Sequence, residues 1–71
     1  MSDRIVTDPK VLAGKPVIRG TRIPVYLIVE LLAAGNPRED ILKEYPQLAD
    51  EDITAAMEYA SQLLRGELVD A

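Results

Sequence analysis

The hydrophobic pattern changes near Pro24, and the part of the chain before it is typical of short strands. Residues 4–7 (RIVT) and 17–19 (VIR) are rich in β-branched side chains, and turn-forming residues lie between them. We predict that these runs pair as an N-terminal β-hairpin or arm over residues 1–23. Because an isolated hairpin is marginal in water, the arm must pack on helices or pair with a second copy.

The part after Pro24 predicts three helices, of which the first is strongly apolar. Residues 25–34 (VYLIVELLAA) contain one charged side chain, Glu30, and are followed by Gly35, a residue typical of the position just after a helix. A helix that is apolar on nearly every side must be covered on more than one side. Two short helices and a hairpin offer little cover, so the sequence predicts a homodimer.

The second helix has recognisable start signals. Asn36 suits the N-cap, Pro37 suits the first helical position, and Glu39 suits the third, where the helix dipole favours an acid. The helix should stop around Tyr45, because Pro46 disfavours a helical conformation of the residue before it.

The third helix is predicted to begin near Asp50. Leu48 and Ile53 are spaced as a hydrophobic staple around an N-cap at Ala49, although Ala is a poor cap. Gly66 should end the helix. Its expected buried stripe follows helical spacing and consists of Ile53, Ala56, Met57, Ala60, Leu63 and Leu64.

Together these elements predict one mainly α domain over residues 1–71. Its parts are the β-arm (1–23), a three-helix, homeodomain-like helix-turn-helix unit (24–65) and a short tail (66–71). Many small helical proteins share this outline, so it does not identify a function.

Composition argues against an enzyme. The 71 residues include no Cys and no His, which removes disulfides, thiolate metal sites and the commonest general base. Acids cluster at residues 39–40 and 50–52, where predicted helix N-termini already favour them. We therefore predict a protein with no catalytic residues, no metal, no cofactor and no small-molecule substrate.

The location is also predicted from composition. Charges or prolines interrupt every apolar run before it could span a bilayer, and residues 1–10 lack a signal-peptide core. We expect a cytoplasmic bacterial or archaeal protein without membrane contact.

The charge is divided unevenly between the two parts. The net charge is −4, but residues 1–22 carry +3 and residues 23–71 carry −7. Paired β-arms could enter the major groove of DNA, whereas the acids at 50–52 would be repelled by phosphates. The alternative is that Arg19 and Arg22 are structural and pair with acids on the helices. The candidate DNA-binding residues are Arg4, Lys15, Arg19 and Arg22.

A protein partner is the other possibility that the residues suggest. Tyrosine is enriched at protein interfaces, although the tyrosines could instead pack in the core with their hydroxyls outward. The acidic third helix could also meet the basic surface of an RNA-cleaving enzyme. The candidate interface residues are Ile5, Val17, Ile18, Tyr26, Val29, Leu32 and Tyr59.

One segment is similar to a known family. Residues 14–25 (GKPVIRGTRIPV), together with Asp8-Pro9, residues 31–35 (LLAAG) and residues 45–48 (YPQL), closely resemble the prokaryotic family called domain of unknown function 433. The resemblance spans nearly the whole chain. It implies a β-arm followed by a three-helix, homeodomain-like unit. Ala49 departs from the family pattern, which tends to place a capping Thr or Ser there.

The same resemblance implies an antitoxin role of the VapB type. Proteins of that kind dimerise, bind their own promoter as operator DNA and block a PIN-like nuclease toxin. Because the tail after Leu64 is short, toxin capture is expected to use the folded surface. The alternative is a protein–protein interaction module with no nucleic-acid role.

Overall fold

Two short strands form the N-terminal hairpin of the computed structural model, which describes residues 3–66. Strand β1 (Ile5–Val6) pairs antiparallel with β2 (Val17–Ile18), so that Ile5 lies opposite Ile18 and Val6 opposite Val17. A 3₁₀ turn at Leu12–Gly14 lies in the connection. The predicted pairing of the two runs is confirmed, over fewer residues than the β-branched pattern suggested.

Three helices follow the hairpin: α1 (Val25–Ala33), α2 (Arg38–Glu44) and α3 (Asp50–Leu64). The Val25 N–H donates to the Pro16 carbonyl at 2.9 Å, which ties the start of α1 to the arm. The predicted mainly α fold with an N-terminal hairpin is therefore confirmed. Of the expected tail at residues 66–71, residues 67–71 lie outside the described residues.

The core lies where α1 crosses α3, with the hairpin and α2 closing its sides. Ile28 of α1 and Ile53 of α3 are completely buried, as is Ala56. Leu48 and Ile53, the predicted staple residues, are both buried in this same cluster. Burial of several isoleucines in one cluster supplies the main favourable term for folding so small a domain.

The end of α1 forms a Schellman motif. Gly35 has a φ of +93°, and its N–H donates to the Leu32 carbonyl at 3.0 Å, while the Asn36 N–H donates to the Leu31 carbonyl at 3.1 Å. The Asn36 side-chain Nδ2 donates to that same carbonyl at 2.9 Å. The predicted position of Gly35 just after the helix is confirmed.

The predicted start of α2 was wrong by one residue. Pro37 is the N-cap, with extended φ and ψ of −69° and 155°, and Arg38 is the first helical residue. Asn36 does not cap α2, because its side chain is already engaged by the end of α1. A proline at the N-cap leaves no N–H to satisfy.

The predicted buried stripe of α3 was also partly wrong. Ile53 and Ala56 are buried, but Met57, Leu63 and Leu64 are exposed, and Leu64 is 87% exposed. For Leu63 and Leu64 the reason is length, because α3 has 15 residues and α1 has nine. At about 1.5 Å per residue, α3 is roughly 9 Å longer than α1. Its last turn therefore extends beyond the helix that covers the rest of it.

No helix within residues 3–66 is both long enough and apolar enough to cross a membrane.

Candidate protein-binding surface

An apolar groove lies between α1 and the C-terminal half of α3. Its volume is about 360 Å³, and we call it the α1–α3 groove. Tyr59 and Ala60 line it and are half-buried, and Tyr59 also packs against the core. The residues that form its apolar wall and edges include Pro16, Tyr26, Val29, Tyr59, Leu63 and Leu64.

The groove exists because helix spacing places large apolar side chains on a face that the chain itself cannot cover. Tyr26 and Val29 are three residues apart on α1, so they lie on one face of that helix. Tyr26 is 52% exposed, although it belongs to the most apolar helix of the chain. Leu63 and Leu64 come from the last turn of α3, beyond the cover of α1.

Two opposite charges lie at the rim of the groove. Lys15 lies beside the start of α1, because the next residue, Pro16, accepts the N–H of Val25. Glu30 lies five residues further along α1 than Val25, which corresponds to about 7.5 Å along the helix axis. The groove is thus apolar in its centre and carries one cation and one anion at separate points of its edge.

The four basic residues predicted to bind DNA do not form one cationic surface. Arg4 donates from Nη1 to Asp52 Oδ1 at 2.9 Å, and Arg19 donates from Nε to the Asp3 carbonyl at 2.6 Å. Asp3, Arg4, Arg19 and Asp52 all line one small depression. Arg4 therefore pairs with an acid of α3, whereas Arg19 is held by a backbone carbonyl of the arm rather than by an acid on a helix.

The other two predicted DNA-binding residues lie at opposite ends of β2. Lys15 precedes the strand and lines the α1–α3 groove. Arg22 follows the strand and is exposed in a four-residue turn, which is closed by the Ile18 N–H donating to the Ile23 carbonyl at 3.0 Å. Arg19 and Arg22 thus share one turn, and Lys15 is separated from them by the length of the strand.

Arg38 joins α2 to the first turn of α3. Its Nε donates to Asp50 Oδ1 at 2.9 Å, and its Nη2 donates to the Asp50 carbonyl and to Thr54 Oγ1. The hydrogen bond from Arg38 lowers the pKa of the Asp50 carboxyl below its ordinary value, and burial opposes this only in part. Arg38 and Asp50 therefore serve to hold the helices together.

The predicted interface residues fall into two groups. Ile5, Val17 and Ile18 are at least 94% buried by their own chain, so their side chains offer no surface to a partner in this structure. The sequence allowed either outcome, and only the packing of the hairpin on the helices decided it. Leu32 is half-buried and lies outside the groove. The remaining three predicted interface residues line the groove, namely Tyr26, Val29 and Tyr59.

Sequence reasoning missed several residues of this surface. Leu63 and Leu64 were assigned to the core, and Lys15 was assigned to DNA, yet all three line the groove. The unequal lengths of the first and third apolar patterns were the signal that could have identified the two leucines. Within residues 3–66, no group of three or more acidic side chains is placed to hold a metal ion.

Two uncharacterized proteins are similar in sequence to this chain. An uncharacterized protein of Sinorhizobium fredii is 43% identical over 63 residues, which are 87% of this chain and 28% of that protein. An uncharacterized protein of Archaeoglobus fulgidus is 70% identical over 23 residues, covering 32% of this chain and 64% of that one. The chain therefore spans less than two thirds of the length of these relatives.

The fold has a solved counterpart and the sequence matches a family model. The crystal structure of a DUF433 member protein from Anabaena variabilis superposes with a TM-score of 0.81 at 39% identity, covering 86% of this chain and 60% of that one. Residues 5–60 match the model of the family described as protein of unknown function (DUF433). This match includes both strands, α1, α2 and most of α3, and the chain therefore belongs to the DUF433 family.

Proposed function

We propose that this chain is an antitoxin-like binding protein that acts by holding another protein, with a PIN-like nuclease as its target. The observation that carries the proposal is the α1–α3 groove, an exposed apolar surface on a very small domain. Contiguous apolar surface of this kind, bordered by charges, marks protein interaction sites on soluble proteins. The nuclease as target comes from the family resemblance of the sequence.

The composition of the groove supports a protein as its ligand. Tyr26 and Tyr59 offer large rigid faces with polar tips, which is the reason tyrosine is enriched at protein interfaces. Leu63 and Leu64 add aliphatic surface that gains free energy when water is removed.

The surface charge of the helices supports a basic target. Exposed acids are distributed over α2 and α3, and Glu39, Asp40, Glu51 and Glu58 are among them. An enzyme that binds RNA needs a cationic surface to contact phosphates. Complementary charge would speed the encounter of this chain with such an enzyme and orient it.

Operator binding has less support from the geometry. Arg4 and Arg19 face Asp52 and the Asp3 carbonyl, so both are partly engaged within the chain. Arg22 is exposed in the turn that it shares with Arg19, and Lys10 and Lys15 are exposed elsewhere in the arm. We therefore assign DNA a secondary place in the proposed function, dependent on two copies bringing two such turns together.

The proposal is tested by co-expressing the tagged chain with the product of the neighbouring gene, which the proposal requires to be a PIN-like nuclease, followed by pull-down. We expect the wild-type chain to retain the nuclease, and Tyr26→Ser or Leu64→Ser to lose it. Met57→Ser is the matched control, because Met57 is a 40% exposed residue of α3 that does not line the groove.

Two results would contradict the proposal. If the wild-type chain fails to retain the nuclease, the antitoxin-like role is wrong. The alternative then gains weight, namely an interaction module for another class of protein with no nucleic-acid role. If Met57→Ser loses the nuclease as fully as Leu64→Ser, the groove is not the surface that matters.

A further inference from the structure

We propose that a pocket at the corner between α1 and α2 receives an arginine side chain of a protein partner. Its volume is about 450 Å³, and we call it the α1–α2 pocket. The inference rests on the proposed function in one respect, since it takes a protein with a basic surface as the ligand. It adds a contact site separate from the α1–α3 groove and the residue type that fills it. The pocket is lined by Leu31, Asn36, Asp40, Ile41, Lys43 and Glu44.

The apolar part of the pocket follows from the way the chain turns between the two helices. The Schellman motif at Gly35 ends α1, and α2 begins three residues later at Arg38. Leu31, near the end of α1, and Ile41, in the middle of α2, supply the aliphatic lining. Ile41 is buried in the core, and Leu31 is half-buried. The aliphatic stem of an arginine can pack on such a surface while its charged end meets polar groups at the edge.

The polar part of the pocket is rich in hydrogen-bond acceptors. Asp40 and Glu44 are four residues apart, which places them on one face of α2, about 6 Å apart along its axis. Both are exposed, and within residues 3–66 neither makes an ion pair. Asn36 uses its Nδ2 to donate to the Leu31 carbonyl, which leaves its Oδ1 as a third acceptor.

The charge of the pocket favours a cation. Two carboxylates, of Asp40 and Glu44, against the one ammonium of Lys43 leave the lining with a net charge of −1. The C-terminal end of α1 adds to the negative potential, because its aligned peptide dipoles carry about half a negative charge there. A cationic side chain of a partner therefore complements this pocket, as a neutral or acidic one does not.

Arginine suits these acceptors better than lysine does. Its guanidinium presents five N–H donors in a planar fork, which are enough for two carboxylates and the Asn36 amide oxygen together. A lysine ammonium is a compact and strongly hydrated charge with three donors. Arginine is also enriched at protein interfaces and supplies much of the cationic surface with which proteins contact phosphates.

A titration with a single arginine tests the pocket directly. The probe is the blocked peptide acetyl-Gly-Arg-Gly-amide, added to the isotope-labelled full chain and followed by backbone amide shifts in NMR spectra. We expect saturable shifts concentrated in residues 31–44, with a dissociation constant on the order of 1–10 mM at low salt. The same peptide with citrulline, a neutral analogue of nearly equal shape, should bind about 10-fold more weakly.

Variants of α2 assign the binding to the pocket. The double variant Asp40→Asn with Glu44→Gln keeps the side-chain sizes and removes both charges, so the dissociation constant of the arginine peptide should rise by about 10-fold. Glu39→Gln is the matched control, because Glu39 is an exposed acid of α2 outside the pocket, and it should change this constant by less than about 2-fold. All three positions are exposed, so the variants should stay folded, which the same spectra verify.

Three results of the titration would overturn the inference. The first is the absence of saturable shifts in residues 31–44, and the second is equal binding of the arginine and citrulline peptides. The third is a double variant that binds the arginine peptide no more weakly than Glu39→Gln does.

Pull-down with the product of the neighbouring gene separates this inference from the proposed function. If the wild type retains the nuclease and the double variant retains as much, the pocket does not hold this partner, so the inference is wrong while the proposed function stands. If the double variant loses the nuclease and Glu39→Gln keeps it, both are supported. A chain that binds the arginine peptide as expected but ignores the nuclease supports the inference and contradicts the proposed function.

Discussion

Arg4 Nη1 lies 2.9 Å from Asp52 Oδ1, which joins the residue preceding β1 to the first turn of α3. The other carboxylate oxygen of Asp52 accepts the N–H of Ala49, the N-cap residue, at 2.8 Å. Ala49 has no polar side chain to offer, so the carboxylate at the third helical position supports the helix start instead. One side chain, 9% exposed, thus fixes both the arm and the start of α3.

Asp52→Ala should therefore destabilise the fold more than an ordinary surface change. It removes a helix-start acceptor and leaves the Ala49 N–H without its partner, which costs about 1–2 kcal/mol. Urea unfolding followed by circular dichroism would measure it. Glu51→Ala, an exposed neighbour on the same turn, is the matched control and should change stability by less than about 0.5 kcal/mol. Equal losses in the two variants would contradict the dual role of Asp52.

Gly35→Ala should shorten or strain the end of α1. The φ of +93° is one that L-residues rarely adopt, and no atom lies within 4 Å of an added Cβ, so the cost is that of the backbone conformation alone. We expect a loss of about 1–2 kcal/mol by denaturant unfolding. Gly35→Asn should lose less, because Asn tolerates this conformation better. Equal stability of Gly35→Ala and Gly35→Asn would contradict this prediction, because it would show that the turn can relax to another conformation.

The Arg38–Asp50 pair should make stability depend on acid pH. Because Arg38 lowers the pKa of Asp50, the carboxylate stabilises the folded state above its ordinary pKa of 3.8. That contribution is lost as the pH falls through the lower pKa of the folded state. We expect the melting temperature of Asp50→Asn to be below that of the wild type near pH 7, and the gap to narrow as the pH falls below 3.8.

Thermal unfolding at several pH values measures this gap. Both side chains are substantially exposed, so added salt should reduce the difference. Glu58→Gln, an exposed acid of the same helix, serves as the control. A gap between wild type and Asp50→Asn that stays constant across this pH range would contradict the pairing.

Operator binding, the secondary part of the proposed function, should depend on Arg19 and Arg22. Two copies present four such arginines, so affinity for a duplex from upstream of the gene should fall about 100-fold between about 50 and 200 mM salt. The double variant Arg19→Ala with Arg22→Ala should weaken the shift, and Lys10→Ala, an exposed arm residue, should not. Absence of any shift at low salt would remove DNA from the proposed function.

The order and type of the elements could be predicted from the sequence because they depend on local signals. β-branched runs, turn residues and the 3.6-residue period act within a few positions of each other. Gly35 marked the end of α1 correctly for the same reason. Asn36 was misassigned because an Asn at this position can either cap the start of α2 or bond to the end of α1. In the folded chain its side chain donates to the Leu31 carbonyl, so it serves the end of α1.

The surface of the molecule could not be predicted in the same way. Leu63 and Leu64 continue the apolar period of α3, yet their exposure depends on α1 being shorter than the helix it covers. Arg4 and Lys15 have the same charge in the sequence, but packing places Asp52 beside one and an apolar groove beside the other.

The sequence by itself determined which segments become strands and helices. Only the tertiary structure decided which side chains remain uncovered and which charges meet an opposite charge. The physical reason is the separation along the chain over which each effect acts. Backbone preferences are set by near neighbours, whereas burial and ion pairing depend on residues that are distant in sequence, such as Arg4 and Asp52, which are 48 positions apart.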